Sequence, residues 1–206
     1  MKMKRIALKI VTDVLHALHR ARLPILTIGM TYLVAIMVGI IMVHAGNPFA
    51  ISYRDEIVSN AQSSPINIAL NQNHRARAAL LDARGNLISA LSNTLGGLGV
   101  IIPYPFVAYR GWIGGIVSID GAYVSRFSDH HEALYYLTTL ILQLIPSILA
   151  AGIGVNLGLS YYRPKPYYQG KKWLGLSQEA ILDVARVYLL VIPLLLLASL
   201  WEFGMR

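Results

Sequence analysis

The sequence predicts an all-α integral membrane protein: a polytopic helical bundle of four to five membrane-embedded segments with an N-terminal interfacial helix. Three observations carry this prediction. Of 206 residues, 55% are hydrophobic and only 14% are charged, against roughly 25% charged in soluble domains. Several apolar stretches approach the roughly 20 residues that cross a hydrocarbon core. The mean hydropathy is +0.53, which excludes a disordered or collagen-like chain. The length suits one domain. With no cysteine in the chain, disulfides, thiolate metal sites and a cysteine nucleophile are excluded as well.

Residues 1–22 read as a basic amphipathic cytoplasmic segment. Lys2, Lys4, Arg5, Lys9, Arg20 and Arg22 face a single acid, Asp13, while Ile6, Ile10, Val14 and Leu18 recur every fourth residue beside Val11 and Leu15. That spacing lays an apolar stripe on one helical face and suits the surface of an anionic leaflet. Residues 23–206 then form the polytopic membrane domain. Leu23 to Ala45 contains no acid, lysine or arginine and is the first span, with Pro24 expected in its first turn, where a missing N–H costs little. The Val43-His44-Ala45 end resembles a signal-peptidase site, but the apolar run exceeds the ~7–15 residues of a signal sequence, so it reads as an uncleaved anchor.

Residues 46–86 are the extramembrane connection, with two short helices broken at Pro65 and a return helix near Ala78 to Leu81. Leu87 to Tyr109 reads as an apolar segment interrupted by Gly96, Gly97, Gly99, Pro103 and Pro105; such breaks are tolerated at membrane depth where neighbours satisfy the backbone. Arg110-Gly111-Trp112 is expected to turn at the interface. Trp112 to Phe127 is a short crossing or re-entrant segment carrying Asp120. Glu132 to Leu159 is a strong span kinked at Pro146, whose second half presents the small residues Gly152, Gly154 and Gly158. Together with Gly96, Gly97 and Gly99, these are candidate helix-packing or partner-contact positions, because glycine permits close backbone approach. Residues 160–178 are a basic cytoplasmic loop with Arg163, Lys165, Lys171 and Lys172 and no acid; mixed with tyrosines and Trp173, they point to anionic-lipid contact rather than nucleic acid. Ala180 to Leu200 is the last span.

Lysine and arginine in short loops mark the cytoplasmic side. Both 1–22 and 160–178 qualify, so an even number of crossings must separate them. Five crossings satisfy this if 112–127 crosses once, with the N-terminus cytoplasmic. The alternative is four crossings plus a re-entrant loop.

The candidate polar membrane positions are Asp120, Gln143 and Asn156. A membrane carboxylate is by default a functional hypothesis, whereas the two amides suit interhelical hydrogen bonds. Asp183 and Arg186 are spaced as an intrahelical pair. The cluster Asp129-His130-His131-Glu132 fails the His-Glu-x-x-His pattern, because Tyr135 stands at the second histidine position; it reads as a helix start capped by Ser128. No catalytic set, cofactor site or metal site is expected.

The run from Gln143 to Gly158 (QLIPSILAAGIGVNLG), the basic loop after it, and the ending Leu200-Trp201-Glu202-Phe203 resemble the stage II sporulation protein M family of bacterial membrane proteins. That family's pattern is roughly His-Gly-x-x-Glu-Leu-Pro-Ala, followed by small residues ending Gly-x-x-Leu-Gly. Aligned on Gly154 and Gly158, its glutamate falls at Gln143, its histidine near Thr139, and its proline one position away, at Pro146. The resemblance implies a non-catalytic scaffold or assembly subunit of a cell-envelope complex in the bacterial inner membrane. Its partners would be the lipid bilayer, other membrane subunits and self-association. The competing reading is a permease-like transport subunit working with a separate ATPase, since broken glycine-proline helices line transporter cavities. A polar cavity lined by Asp120, Gln143 or Asn156 would favour transport; a tightly packed interior with an outward contact surface would favour assembly.

Overall fold

Residues 2–119, 130–163 and 165–204 are described by the computed structural model, with side chains described for 8–119, 133–163 and 165–204. Seven α-helices account for nearly all of them: α1 (Lys2–His44), α2 (Pro48–Gln62), α3 (Pro65–Asn71), α4 (Arg75–Gly96), α5 (Pro103–Val117), α6 (His130–Tyr162) and α7 (Gln178–Gly204). Two strands, β1 (Lys172–Trp173) and β2 (Leu176–Ser177), form a small antiparallel hairpin. Among the described residues three helices are long and apolar enough to cross a membrane, over Leu8–His44, Ala133–Tyr162 and Gln178–Gly204.

The chain runs back and forth between two ends. Gly152 of α6 lies on Ile25 of α1 and Ile148 on Gly29, so α6 descends where α1 ascends. On α7, Asp183 meets Arg20 near the lower end, and Glu202 meets Gln143 and Tyr135 near the upper. α4 descends along α7: Asp82 accepts a hydrogen bond from Ser199, and Thr94 meets Tyr188. α5 ascends along α1, placing Val107 with Ile28, Gly111 on Tyr32, and Gly115 on Ile36 and Gly39. α2 and α3 cap the upper end. Asn47 and Ser64 accept N-cap hydrogen bonds from Ala50 and Asn67, and α2 is held to α5 by stacking of Phe49 and Tyr53 on Trp112.

Three expectations are corrected. First, the amphipathic segment is not a separate surface helix. Nothing between Lys2 and Leu23 breaks the helix, so it continues into the apolar stretch as one α1 of 43 residues. Pro24 therefore sits deep in a helix rather than in a first turn; one turn on, the Thr27 hydroxyl donates to the Pro24 carbonyl. Second, 87–109 is not one segment. α4 ends at Gly96, a single 3₁₀ turn covers Gly97–Gly99, and α5 starts at Pro103. Val100 lies between them at φ 58°, a region that opposes β-branched residues, and the chain reverses there. Third, Arg110-Gly111-Trp112 is no interfacial turn but the middle of α5, because Gly111 and Gly115 are held against α1. Of the crossing expected over 112–127, residues 112–117 form the end of α5, and residues 120–127, with Asp120, lie outside the described residues.

Neither limb of the α4–α5 hairpin reads as a free-standing span. The first half of α4 carries Arg75, Arg77, Asp82 and Arg84, and the 15 residues of α5 rise only about 22 Å against a hydrocarbon core of about 30 Å. The hairpin depends instead on its neighbours. At Gly97 an added side-chain carbon would fall on the Gly154 backbone, at Gly154 on that of Thr94, and at Gly158 on that of Gly97. Gly152 does the same for α1, against Ile25. Gly96 and Gly99 do not face another helix; they accommodate Ile102 of their own turn. A second seam, not singled out in the sequence, sets Gly111 of α5 on Tyr32 and Ala35 of α1, and Gly115 on Ile36 and Gly39; its signal was the Gly-x-x-x-Gly spacing.

Gly154→Leu should therefore abolish the packing of the hairpin turn. The expected result is a protein that aggregates in mild detergent or loses thermal stability by more than the ~1–3 kcal/mol of ordinary overpacking. Leu196→Ile, at an exposed position on α7, should leave the melting temperature nearly unchanged.

Candidate functional site

Two polar centres, one at each end of the bundle, hold Asn156 and Asp183 below and Gln143 and Glu202 above. The lower is a closed ionic network. Asp183 is fully buried. It accepts hydrogen bonds from Arg20 Nε at 2.7 Å, from Arg186 Nη1 at 2.8 Å and from the Tyr168 hydroxyl at 2.9 Å. Glu179 accepts from Arg20 at 3.1 Å and from Arg186 at 2.5 Å. Asn156 of α6 donates to the Tyr168 hydroxyl at 2.7 Å. Two arginines and two carboxylates balance, so no net charge is buried. Burial, reinforced by the negative charge of Asp183, raises the Tyr168 phenol far above the ordinary tyrosine range and keeps it a neutral donor. The i,i+3 spacing of Asp183 and Arg186 was legible on α7. Their principal partner, Arg20, lies 163 residues earlier in the chain; it belonged to the segment read as a membrane-surface helix, and no local signal connects the two. Asn156 bonds to the loop rather than to another helix.

The upper place is a cleft of about 490 Å³ lined by Tyr32 of α1, Gly114 and Val117 of α5, Tyr135, Tyr136, Thr139 and Gln143 of α6, and Glu202 of α7. Gln143 donates to the Glu202 carboxylate at 2.5 Å, and the Tyr135 hydroxyl donates to the Glu202 carbonyl at 2.7 Å. Tyr136 reaches the Gly114 carbonyl at 3.4 Å, and Trp201 stacks on Tyr135. Helical spacing explains the geometry: Tyr136, Thr139 and Gln143 fall at i, i+3 and i+7 and share one face of α6. The cleft exists because α5 and α6 touch little while both pack on α1. A carboxylate and several hydroxyls around one cavity can bind a polar or cationic group. They do not form a nucleophile–base pair. Among the described residues no three His, Cys, Asp or Glu side chains converge as a metal site.

Of the polar positions expected inside the membrane, Gln143 thus lines a cavity, Asn156 is consumed in the lower network, and Asp120 lies outside the described residues. Ser128 and Asp129, the expected helix start, lie outside them too; the described part of α6 runs from His130. Arg163, Lys165, Lys171 and Lys172 are exposed around the lower loop. Two positions missed by sequence reasoning are Asp82 and Ser199. The Asp82 carboxylate accepts from Ser199 at 2.6 Å and from Asn86 at 3.0 Å, tying α4 to α7.

Removing one side of the lower network should be costly. Asp183→Asn strands part of the charge of Arg20 and should destabilise the protein by about 3–5 kcal/mol, read as loss of thermal stability in detergent. Arg20→Met combined with Asp183→Leu should recover a large part of that loss, because replacing a buried pair together leaves no unpaired charge.

No family model matches the chain, and neither the curated proteins nor the solved structures contain a match.

Proposed function

We propose that this protein is a non-catalytic assembly subunit of a larger cell-envelope membrane complex, seated in the bacterial plasma membrane with its N-terminus in the cytoplasm. The observation that carries this reading is the length and exposed face of α1. Its 43 residues extend about 64 Å at 1.5 Å per residue, roughly twice the hydrocarbon core. Leu26, Met30, Leu33, Met37 and Ile41 form its exposed lipid-facing row. Below them on the same face come His19 and Arg22, and below those a second exposed apolar row of Leu8, Val11 and Leu15. A helix of this length cannot hold both rows in one hydrocarbon core: Leu15, about 39 Å along the axis from Ile41, reaches the headgroup layer, and Leu8 and Val11, farther out, stand in water. An apolar row maintained in water is the mark of a protein-contact surface, and its spacing suits insertion of a helix into a partner's groove. The resemblance to the sporulation family supports the same reading: the positions aligned with that family's glutamate and its terminal acid, Gln143 and Glu202, are in contact.

In this reading α1, α4, α5, α6 and α7 pass through the membrane in turn, α4 and α5 shielded by their neighbours. In the cysteine-free chain, single cysteines at positions 8 and 171 should then be labelled from one face of intact cells or oriented vesicles and a cysteine at 204 from the other. Labelling of 8 and 171 from opposite faces would overturn it.

The assembly role is tested by Leu8→Ser, Val11→Ser and Leu15→Ser together. The variant should keep its melting temperature in detergent, since these side chains are already exposed, yet lose the subunits that co-purify with the intact chain. Unchanged recovery of those subunits would sink the assembly role. A permease-like subunit is the second reading, favoured by the cleft at Gln143 and Glu202. It gains if Glu202→Gln leaves the complex intact but abolishes its activity in cells.

A further inference from the structure

The loop between α6 and α7 carries an apolar tip that folding alone does not explain. Trp173 pairs with Leu176 across the β1–β2 hairpin, and Gln178 N–H closes it on the Lys171 carbonyl at 2.8 Å. The two turn residues, Leu174 and Gly175, have φ of 50° and 82°. Turns of this kind favour Asn-Gly or Asp-Gly, because the first position needs a left-handed residue and faces water. Leucine there is strained, and it is also the most exposed large apolar side chain among the described residues, at 80%, beside Trp173 at 64%.

The hairpin does not hang below the bundle. Gly175 lies against the Tyr161 ring in the last turn of α6, where a side-chain carbon would approach to 2.9 Å. Leu176 packs with Leu157, Tyr168 and Ala180. The tip is therefore pinned to the flank of the helix ends, level with the exposed tyrosines 161 and 162. The same loop carries Arg163, Lys165, Lys171 and Lys172, all exposed, with no acid between residues 160 and 178. The nearest acid, Glu179, is engaged by Arg20 and Arg186.

We propose that this hairpin is a binding site for anionic phospholipid headgroups, in which Trp173 and Leu174 wedge into the boundary between headgroups and acyl chains and the four cations hold the phosphates. Tryptophan with an apolar neighbour suits that boundary, long basic side chains reach headgroups from it, and clustered lysines and arginines beside a span attract anionic lipid. A second copy of the chain is the poorer occupant, since it would bring four like charges against four. The proposal rests on membrane insertion alone and is independent of the assembly role.

The test uses the full chain with Trp112→Phe and Trp201→Phe, leaving Trp173 as the sole tryptophan of the original three, reconstituted in phosphatidylcholine vesicles. Traces of phosphatidylglycerol or phosphatidylcholine brominated near the glycerol end of the acyl chain are added separately. Trp173 emission should be blue-shifted, protected from aqueous iodide, and quenched severalfold more by the brominated phosphatidylglycerol. Neutralising Arg163, Lys165, Lys171 and Lys172 to glutamine should make the two lipids quench alike. Quenching by iodide and by neither lipid would place the tip in water, as a solvent loop or protein contact, and overturn the proposal; equal quenching of the unneutralised chain by both lipids would overturn the headgroup site. Should the double tryptophan variant fail to fold, Leu174→Cys carrying a polarity-sensitive dye in the otherwise unaltered chain reads the same lipid preference.

Discussion

At Gly97, Gly154 and Gly158 two stretches of one chain approach backbone to backbone, and the turn between α4 and α5 is held by that contact. A chain that reverses direction among apolar helices leaves N–H and C=O groups without helical partners, and in lipid each costs several kcal/mol. The seam sets one side of the reversal on α6, with Val100 packed on the buried cluster of Ile28, Val107, Ala151 and Val155, while Leu98, Gly99, Ile101 and Ile102 stay exposed on the other side. From this contact the remaining arrangement follows. α4 is drawn between α6 and α7, so its polar first half can point Asp82 at Ser199. α5 is returned along α1, where Gly39, Gly111 and Gly115 repeat the same device.

The two polar centres use their residues in opposite ways. In the lower network each carboxylate oxygen of Asp183 and the Tyr168 hydroxyl between Asn156 and Asp183 have hydrogen-bond partners. Such a network adds little net stability over apolar packing. Its consequence is register: Arg20 can satisfy Asp183 and Glu179 together only at one sliding position of α1 on α7. The upper cleft keeps its polar groups around a cavity, with Gln143 and Glu202 in direct contact. A bundle built only for tight packing would fill that space with larger apolar residues from several helices, since cavities cost stability.

Local pattern and long-range contact explain what could be seen in advance. The three long apolar helices are compositional facts and were legible, as were the break at Pro65 and the small-residue face of α6. Pro24 misled because proline usually marks a first helical turn, and the 22 helical residues before it look, by composition alone, like a different kind of segment. Leu87 to Tyr109 misled because its hydropathy is that of a span, while its glycines encode a reversal whose depth depends on what lies opposite. Gln143 could be singled out as a polar residue in an apolar run, but Glu202 at the other side of the cleft sits where a chain end in water would also put an acid. Arg20 and Asp183 meet only because α1 and α7 run in the same direction, and direction follows from the number of passes between them.

That number sets α1 apart. It carries the exposed row of Leu8, Val11 and Leu15 at one end, Arg20 of the ionic network a few turns on, Ile25 under Gly152, Tyr32 in the wall of the cleft, and Gly39 in the seam with α5. These positions share one unbroken helix, so a rotation of α1 about its axis by one residue, about 100°, would remove Arg20 from Asp183 and Gly39 from Gly115 together. Interfaces of this kind change between discrete arrangements rather than deforming smoothly. If a cytoplasmic subunit holds the lower row, it therefore grips the same rigid body that forms one wall of the cleft, and the ionic network fixes the azimuth at which that wall is presented.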